Sequence, residues 1–326
     1  MKTRKLGNSS LNLTTVGFGT WAHGGGGWAF SWGPQDDNES ISAIHKALDL
    51  GINWIDTAAI YGLGHAEEVT AKALKGRRDQ VILATKCALV WDSKRRISGN
   101  LKKQSVRKEC EDSLRRLKTD YIDLYQIHWP NPDTDIEEGW TEIQELINEG
   151  KVRFGGVSNF SVPQMKKLER IAIPTSLQPP YSMIESGIEK DIFAYCKEKN
   201  IGIVAYSPMG VGLLTGKFTR ERLENLPPDD WRKTKSNHFK EPAFGINLDF
   251  VEELKPISRK YNRPLSQLAV AWVLRRKEVT SAIVGARRPS QIEETAPAGE
   301  WELPADAINE IDSLLKKRDE ELRKAT

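Results

Sequence analysis

One feature constrains this chain more than any other: eight short, β-rich apolar runs alternate with segments of helical periodicity. The runs are LTTVGFGT (13–20), NWIDTA (53–58), QVILATK (80–86), YIDLYQIH (121–128), VRFGGVS (152–158), SLQPPYS (176–182), IGIVAYSP (201–208) and SAIVGA (281–286). Each ends in a polar or glycine turn. Between them, residues 102–118 set Val106, Cys110, Leu114 and Leu117 on one helical face. Residues 136–149 do the same with Trp140, Ile143, Leu146 and Ile147. Segments near 40–50, 65–75, 161–171, 188–199 and 289–297 read alike. Gly51, Gly76 and Gly150 mark helix ends, where a left-handed cap favours glycine. Eight β-then-α units predict an α/β chain closed into a (β/α)8 TIM barrel rather than an open sheet. The runs are nearly continuous in apolar residues, as parallel strands buried on both faces require.

The remaining segments are placed around that barrel. RKLGNSSLNLT (4–14) reads as a β-hairpin about Gly7-Asn8, positioned to plug the N-terminal mouth. Two long connections break the rhythm: WAHGGGGWAFSWGPQDD after strand 1, and residues 209–247 after strand 7. Both follow strands, so both belong on the C-terminal face, where barrels of this kind keep their active sites. Residues 247–276 and 304–322 read as extra helices packed on the barrel, and 1–326 as a single domain.

Composition excludes several classes. Charged residues make up 29% of the chain but the net charge is only +3, with no basic block, which argues against nucleic acid. No apolar run approaches a membrane span, and the start MKTRK lacks the apolar core of a signal peptide. Three widely spaced cysteines, Cys87, Cys110 and Cys196, suit a reducing cytoplasm and give no metal-ligand spacing. No metal and no membrane or nucleic-acid partner is expected, and a monomer is favoured.

On a barrel, Asp56, Lys86, His128, Asn159, Gln178 and Ser207 all fall at strand ends on one rim, and Tyr61 lies in the loop after strand 2. An acid, an ammonium, an imidazole and a phenol from three consecutive strands suit protonation of a carbonyl during hydride delivery. A phenol has an ordinary pKa of about 10. A neighbouring ammonium favours its phenolate, so Lys86, held by Asp56, is expected to lower the pKa of Tyr61. His128 is expected to orient the substrate oxygen. Singly, each residue is better explained as a cap, a core histidine or a solvated lysine. Four on one rim are hard to explain that way.

The motifs DTAAIYGLG, ATK, YIDLYQIHWP, GKVRFGGVSNF, LQPPYS, YSPMGVGLLTGK and VGARRPSQIEE run in order along nearly the whole chain. Together they resemble the landmarks of the aldo-keto reductases, most nearly the bacterial general-stress and inositol-locus type. The resemblance implies a catalytic tetrad of Asp56, Tyr61, Lys86 and His128, and NADPH lying extended across the C-terminal face. It implies that Ser158, Asn159 and Gln178 hold the nicotinamide carboxamide and that Tyr206 stacks on its ring. Ser207, Pro208, Met209, Gly210, Gly216 and Lys217 would follow the pyrophosphate, with Thr20 and Trp21 also at the cofactor. Gly285, Ala286 and Arg287 would face the adenosine phosphate, and Gln291 and Glu294 the adenine. Arg287 and Arg288 favour NADPH, because a guanidinium suits a 2′-phosphate. Thr295 departs from the pattern, since many relatives carry Asn there.

Other motifs fail on inspection. HGGGGW (23–28) lacks a G-x-S-x-G partner, because Phe160 occupies the last position of GVSNF. GVGLLTGKF breaks the phosphate-loop spacing at Val211 and ends in Phe218, and GFGTWA puts Ala22 where a third glycine belongs. Trp21, Trp28, Phe30, Trp32, Trp91 and Trp129, with Trp231, supply an aromatic wall suited to a small, mostly apolar carbonyl compound. The expected function is NADPH-dependent reduction of aldehydes, and some ketones, to alcohols. Two rivals are a slow, NADPH-binding redox sensor on the same fold and a barrel glycosidase pairing Asp56 with Glu185 or Asp123.

Overall fold

The computed structural model describes residues 1–325. Its strands are β1 (Thr3–Lys5), β2 (Asn12–Thr14), β3 (Val16–Gly19), β4 (Trp54–Asp56), β5 (Ile82–Cys87), β6 (Leu89–Trp91), β7 (Ile97–Gly99), β8 (Ile122–Ile127), β9 (Val152–Ser158), β10 (Ser176–Gln178), β11 (Gly202–Ala205) and β12 (Val279–Gly285). The helices are α1 (Asp37–Asp49), α2 (His65–Ala73), α3 (Lys103–Leu117), α4 (Ile136–Asn148), α5 (Val162–Leu168), α6 (Ile192–Lys199), α7 (Arg220–Glu224), α8 (Trp231–Thr234), α9 (Ala243–Lys260), α10 (Leu265–Leu274), α11 (Pro289–Thr295) and α12 (Ala305–Ala325). Eight parallel strands close a barrel in the order β3-β4-β5-β8-β9-β10-β11-β12, and β12 returns to pair with β3. Each of the eight apolar runs contributes one barrel strand. No helix among the described residues is long and apolar enough to cross a membrane.

The N-terminal hairpin pairs Thr3 with Thr14, Arg4 with Leu13 and Lys5 with Asn12. It stoppers the barrel as expected. Leu6, Leu11 and Leu13 join the inward-facing Trp54, Ala84, Leu124, Val204 and Ile283 in one buried cluster. Trp54 fills this interior and donates its indole N–H to Thr14 O (3.2 Å) and Ser281 Oγ (3.0 Å). The run 13–20 splits at Thr15, so its first residues close the hairpin and only Val16–Gly19 enter the barrel.

One expectation is corrected. Residues 265–274 are not an extra helix: all ten residues of α10 are buried, and α10 is the crossover that returns the chain from β11 to β12. The long insertion after β11 displaces this helix from its expected position in the rhythm. The extra helices are α9 and α12, which pack on each other. A second hairpin, β6–β7, leaves the rim directly after β5, pairing Leu89 with Gly99 and Trp91 with Ile97.

The two long connections meet above the C-terminal face. Trp231 N donates to Ser31 O (3.1 Å), and Ser31 Oγ donates to Asp229 (3.3 Å).

Candidate active site

Barrel closure brings the rim residues together. Asp56 ends β4, Lys86 is the last residue but one of β5, and His128 follows β8. The Lys86 ammonium donates to Asp56 Oδ2 at 2.6 Å, Thr57 O at 2.9 Å and the Tyr61 hydroxyl at 3.2 Å. Three acceptors match the three donors of an ammonium. The other Asp56 oxygen accepts from Gln178 Nε2 at 2.8 Å and from Gln126 Nε2 at 3.4 Å. Gln126 was not expected here. Its position two residues before His128, on the same face of the strand, is the signal that could have found it. The imidazole of His128 meets the edge of Tyr61, with ring centroids 5.7 Å apart at 79°.

Burial governs the protonation states. It pushes the Tyr61 phenol well above its ordinary value, and the Asp56 carboxylate adds to the effect. Both effects run against the expected lowering of Tyr61 by Lys86, and the phenol stays protonated. Burial pushes Lys86 down, opposed by Asp56. Burial, then the nearby Lys86 charge, holds His128 well below the usual imidazole range, so it is neutral. A protonated phenol and a neutral imidazole beside a carboxylate-bound ammonium form a set that can give a proton and a hydrogen bond to one oxygen.

Along the rim, Ser158 and Asn159 follow into the same network. Ser158 Oγ donates to Gln178 O (2.8 Å), and Asn159 Nδ2 donates to His128 O (3.0 Å). Tyr206 OH donates to Asn159 Oδ1 (2.9 Å). Asn159 and Ser207 adopt positive φ, 62° and 53°, the kind of backbone strain that concentrates at functional sites. Gly210, Val211, Gly212 and Gly216 are also left-handed, turning the chain tightly after Pro208 and Met209. Thr20 N bonds Asp56 O at 3.0 Å, fixing the start of the first loop to β4.

At the β12 end, Gly285 is exposed and Ala286 buried. Arg287 Nε donates to Gln35 Oε1 at 2.6 Å, and its Nη2 also reaches Pro34 O. Arg288 is exposed. Gln291 accepts from Arg287 N and Arg288 N, capping α11, and Glu294 pairs with Lys217 (2.9 Å) and Ser266 (2.7 Å).

The aromatic wall forms around Tyr61. Trp21 stacks on it at 6.0 Å and 8°, and Trp28 lies 6.1 Å away. Trp32 and Trp231 pack on Trp21 at 5.6 and 5.7 Å, Phe30 meets Trp28 at 5.9 Å, and Trp91 joins the same cluster from β6. Trp129, next to His128, is 45% exposed. Neither carboxylate suggested for a glycosidase joins Asp56. Asp123 sits near the start of β8, bound by Arg78 and Arg153, and Glu185 pairs with His238.

A closed parallel barrel with Asp56, Lys86 and His128 gathered at the C-terminal ends of adjacent strands has the architecture of (β/α)8 enzymes. The chain belongs to the aldo/keto reductase family, whose model matches residues 15–316. It is 39% identical to aldo-keto reductase YhdN of Bacillus subtilis, over 97% of this chain and 94% of that one. It is 34% identical to the NADH-specific methylglyoxal reductase of Escherichia coli, covering 91% and 93%. The structure of glycerol dehydrogenase AKR11B4 from Gluconobacter oxydans superposes with a TM-score of 0.87 at 38% identity, covering 97% of this chain and 95% of that one. The chain is thus an oxidoreductase of a family that acts on small carbonyl compounds with a nicotinamide cofactor.

Proposed function

We propose that this enzyme reduces aldehydes, and some ketones, to alcohols with NADPH. The observation that carries the reading is the Lys86 ammonium bridging Asp56 and the Tyr61 phenol at 2.6 and 3.2 Å beneath an aromatic pocket. The donor set fits the cofactor. Hydroxyl and amide groups of Ser158, Asn159 and Gln178 at the ends of β9 and β10, the Tyr206 ring after β11, and the cations Arg287 and Arg288 after β12 succeed one another around adjacent strand ends. That order suits a molecule with an amide-bearing ring at one end and phosphate at the other. One relative is named NADH-specific. For this chain NADPH is favoured by Arg287, whose remaining N–H donors suit a 2′-phosphate.

When bound, the reduced nicotinamide supplies a hydride to the carbonyl carbon. Tyr61 gives its proton to the carbonyl oxygen as the C–O double bond becomes single. Lys86, held by Asp56, stabilises the phenolate left behind, and neutral His128 donates a hydrogen bond that orients the oxygen. Trp21, Trp28, Phe30 and Trp91 exclude water and hold the apolar part of the substrate. Three buried, unpaired cysteines accord with a cytoplasmic enzyme.

Fluorescence titration with NADPH, then NADPH oxidation with a panel of simple aldehydes, tests this. Tyr61→Phe is expected to lose at least about a thousandfold in turnover while binding NADPH nearly as wild type. Tight NADPH binding without turnover of any carbonyl in the wild type would move the assignment to a redox sensor.

A further inference from the structure

Behind the strand that carries Lys86 lies a charge with no part in the chemistry above. Glu67, in the first turn of α2, is fully buried. Its Oε1 accepts from Thr85 Oγ1 at 2.6 Å, and its Oε2 accepts from Arg116 Nε at 2.6 Å. Arg116 reaches in from α3, bonds Ser113 Oγ at 3.3 Å and lies over the Trp91 ring at 6.0 Å. A carboxylate removed from water needs such a countercharge, and Arg116 supplies it.

The position of Glu67 matters more than its charge. Tyr61 and Lys86 belong to different elements. Tyr61 lies in the loop that runs straight into α2, and its carbonyl accepts from Ala66 N at 3.1 Å. Lys86 lies on β5, where successive side chains point to opposite faces. Lys86 points into the barrel, so Thr85 points out, toward α2. The Thr85–Glu67 bond therefore ties the start of α2, and the Tyr61 loop with it, to β5 one residue from Lys86.

We propose that Glu67 is a positioning residue that sets the separation between the Tyr61 phenol and the Lys86 ammonium. It acts through Thr85 and touches neither substrate nor cofactor. Its effect on turnover rests on the reductase function proposed above; its effect on the separation does not.

The test uses the full-length protein with Thr85→Val, which removes the hydroxyl at nearly constant shape, and Thr85→Ser, which restores it. The measurements are stopped-flow hydride transfer from NADPH to propanal, NADPH Kd by fluorescence, Tm, and the Tyr61–Lys86 distance in crystals of each variant. Thr85→Val is expected to slow hydride transfer about tenfold, because small misplacements of reacting groups are costly, and to lengthen the Tyr61–Lys86 distance. NADPH Kd is expected to stay within about twofold, and Thr85→Ser to recover the wild-type rate. A lowered Tm with an unchanged rate and distance would show a purely structural role and overturn the proposal. If the wild type reduces no aldehyde, the reductase reading fails separately, and an unchanged distance in Thr85→Val would still sink this one.

Discussion

Arg287 shows how one side chain can be held in place by its neighbours. Its Nε is held by Gln35 Oε1, and Gln35 Nε2 in turn donates to Arg287 O at 2.9 Å, so the first long loop grips the turn after β12 from both sides. A guanidinium fixed in this way loses little rotamer freedom when it meets a phosphate. Charge-assisted hydrogen bonds contribute about 1.5–3 kcal/mol each, so removing them weakens binding by roughly 10–100-fold. Arg287→Ala is therefore expected to weaken NADPH by at least about tenfold and NADH by no more than about twofold. Competitive fluorescence titration of the two cofactors measures the ratio. Equal weakening of both would assign Arg287 to loop structure rather than to the 2′-phosphate.

At the scale of elements, the barrel depends on close packing inside its lower half. Gly17 on β3 faces Trp54 on β4, and a Cβ at Gly17 would stand 2.1 Å from the indole ring. That ring cannot withdraw, because it is wedged beneath the hairpin leucines and bonded to Thr14 O and Ser281 Oγ. Gly17→Ala is expected to cost about 3 kcal/mol in urea denaturation, and Trp54→Phe in the same chain to recover part of it. A Gly17→Ala variant as stable as wild type would mean that the ring moves freely. The strands were legible because parallel strands buried on both faces leave short, bounded apolar runs, and Asp56, Lys86 and His128 because polar residues end those runs; Tyr61, in the loop after β4, was legible only through the motif around it. The β6–β7 hairpin was not, since its turn DSKRR is charged and β6 leaves β5 through Ala88 at φ 77° with no glycine to announce the corner. Glu67 was hidden for a related reason: a carboxylate in a first helical turn suits the dipole and reads as solvated, and only the distant Arg116 explains its burial.

The whole molecule adds two buried ionisable groups of opposite sign, and their balance shapes stability against pH. His23 lies under the first loop, bonded to Ala286 O at 2.9 Å, and burial, aided by Arg287, lowers its pKa to about 4. Above its ordinary pKa of about 6.5, His23 is neutral whether the chain is folded or not. Between there and about 4 only the unfolded chain takes the proton, so stability falls as the pH falls. Glu109 on α3 accepts from Ala88 N at 2.9 Å and Ser105 Oγ at 3.0 Å, yet burial raises its pKa to about 7. Below about 7 the folded chain takes that proton first, so stability rises as the pH falls toward the ordinary carboxylate range. The two trends overlap and oppose each other, each amounting to about 2 kcal/mol between pH 8 and pH 5. Single variants should expose them. Glu109→Gln keeps an acceptor for Ala88 N but no longer titrates, so its stability should fall about 2 kcal/mol more steeply than wild type over that range. His23→Gln should fall about 2 kcal/mol less steeply. Urea denaturation at pH 8 and pH 5 measures both slopes. Parallel behaviour of all three proteins would show that neither group changes its protonation on folding, and the protonation states assigned to this barrel from burial, Tyr61 and His128 included, would then have to be reconsidered together.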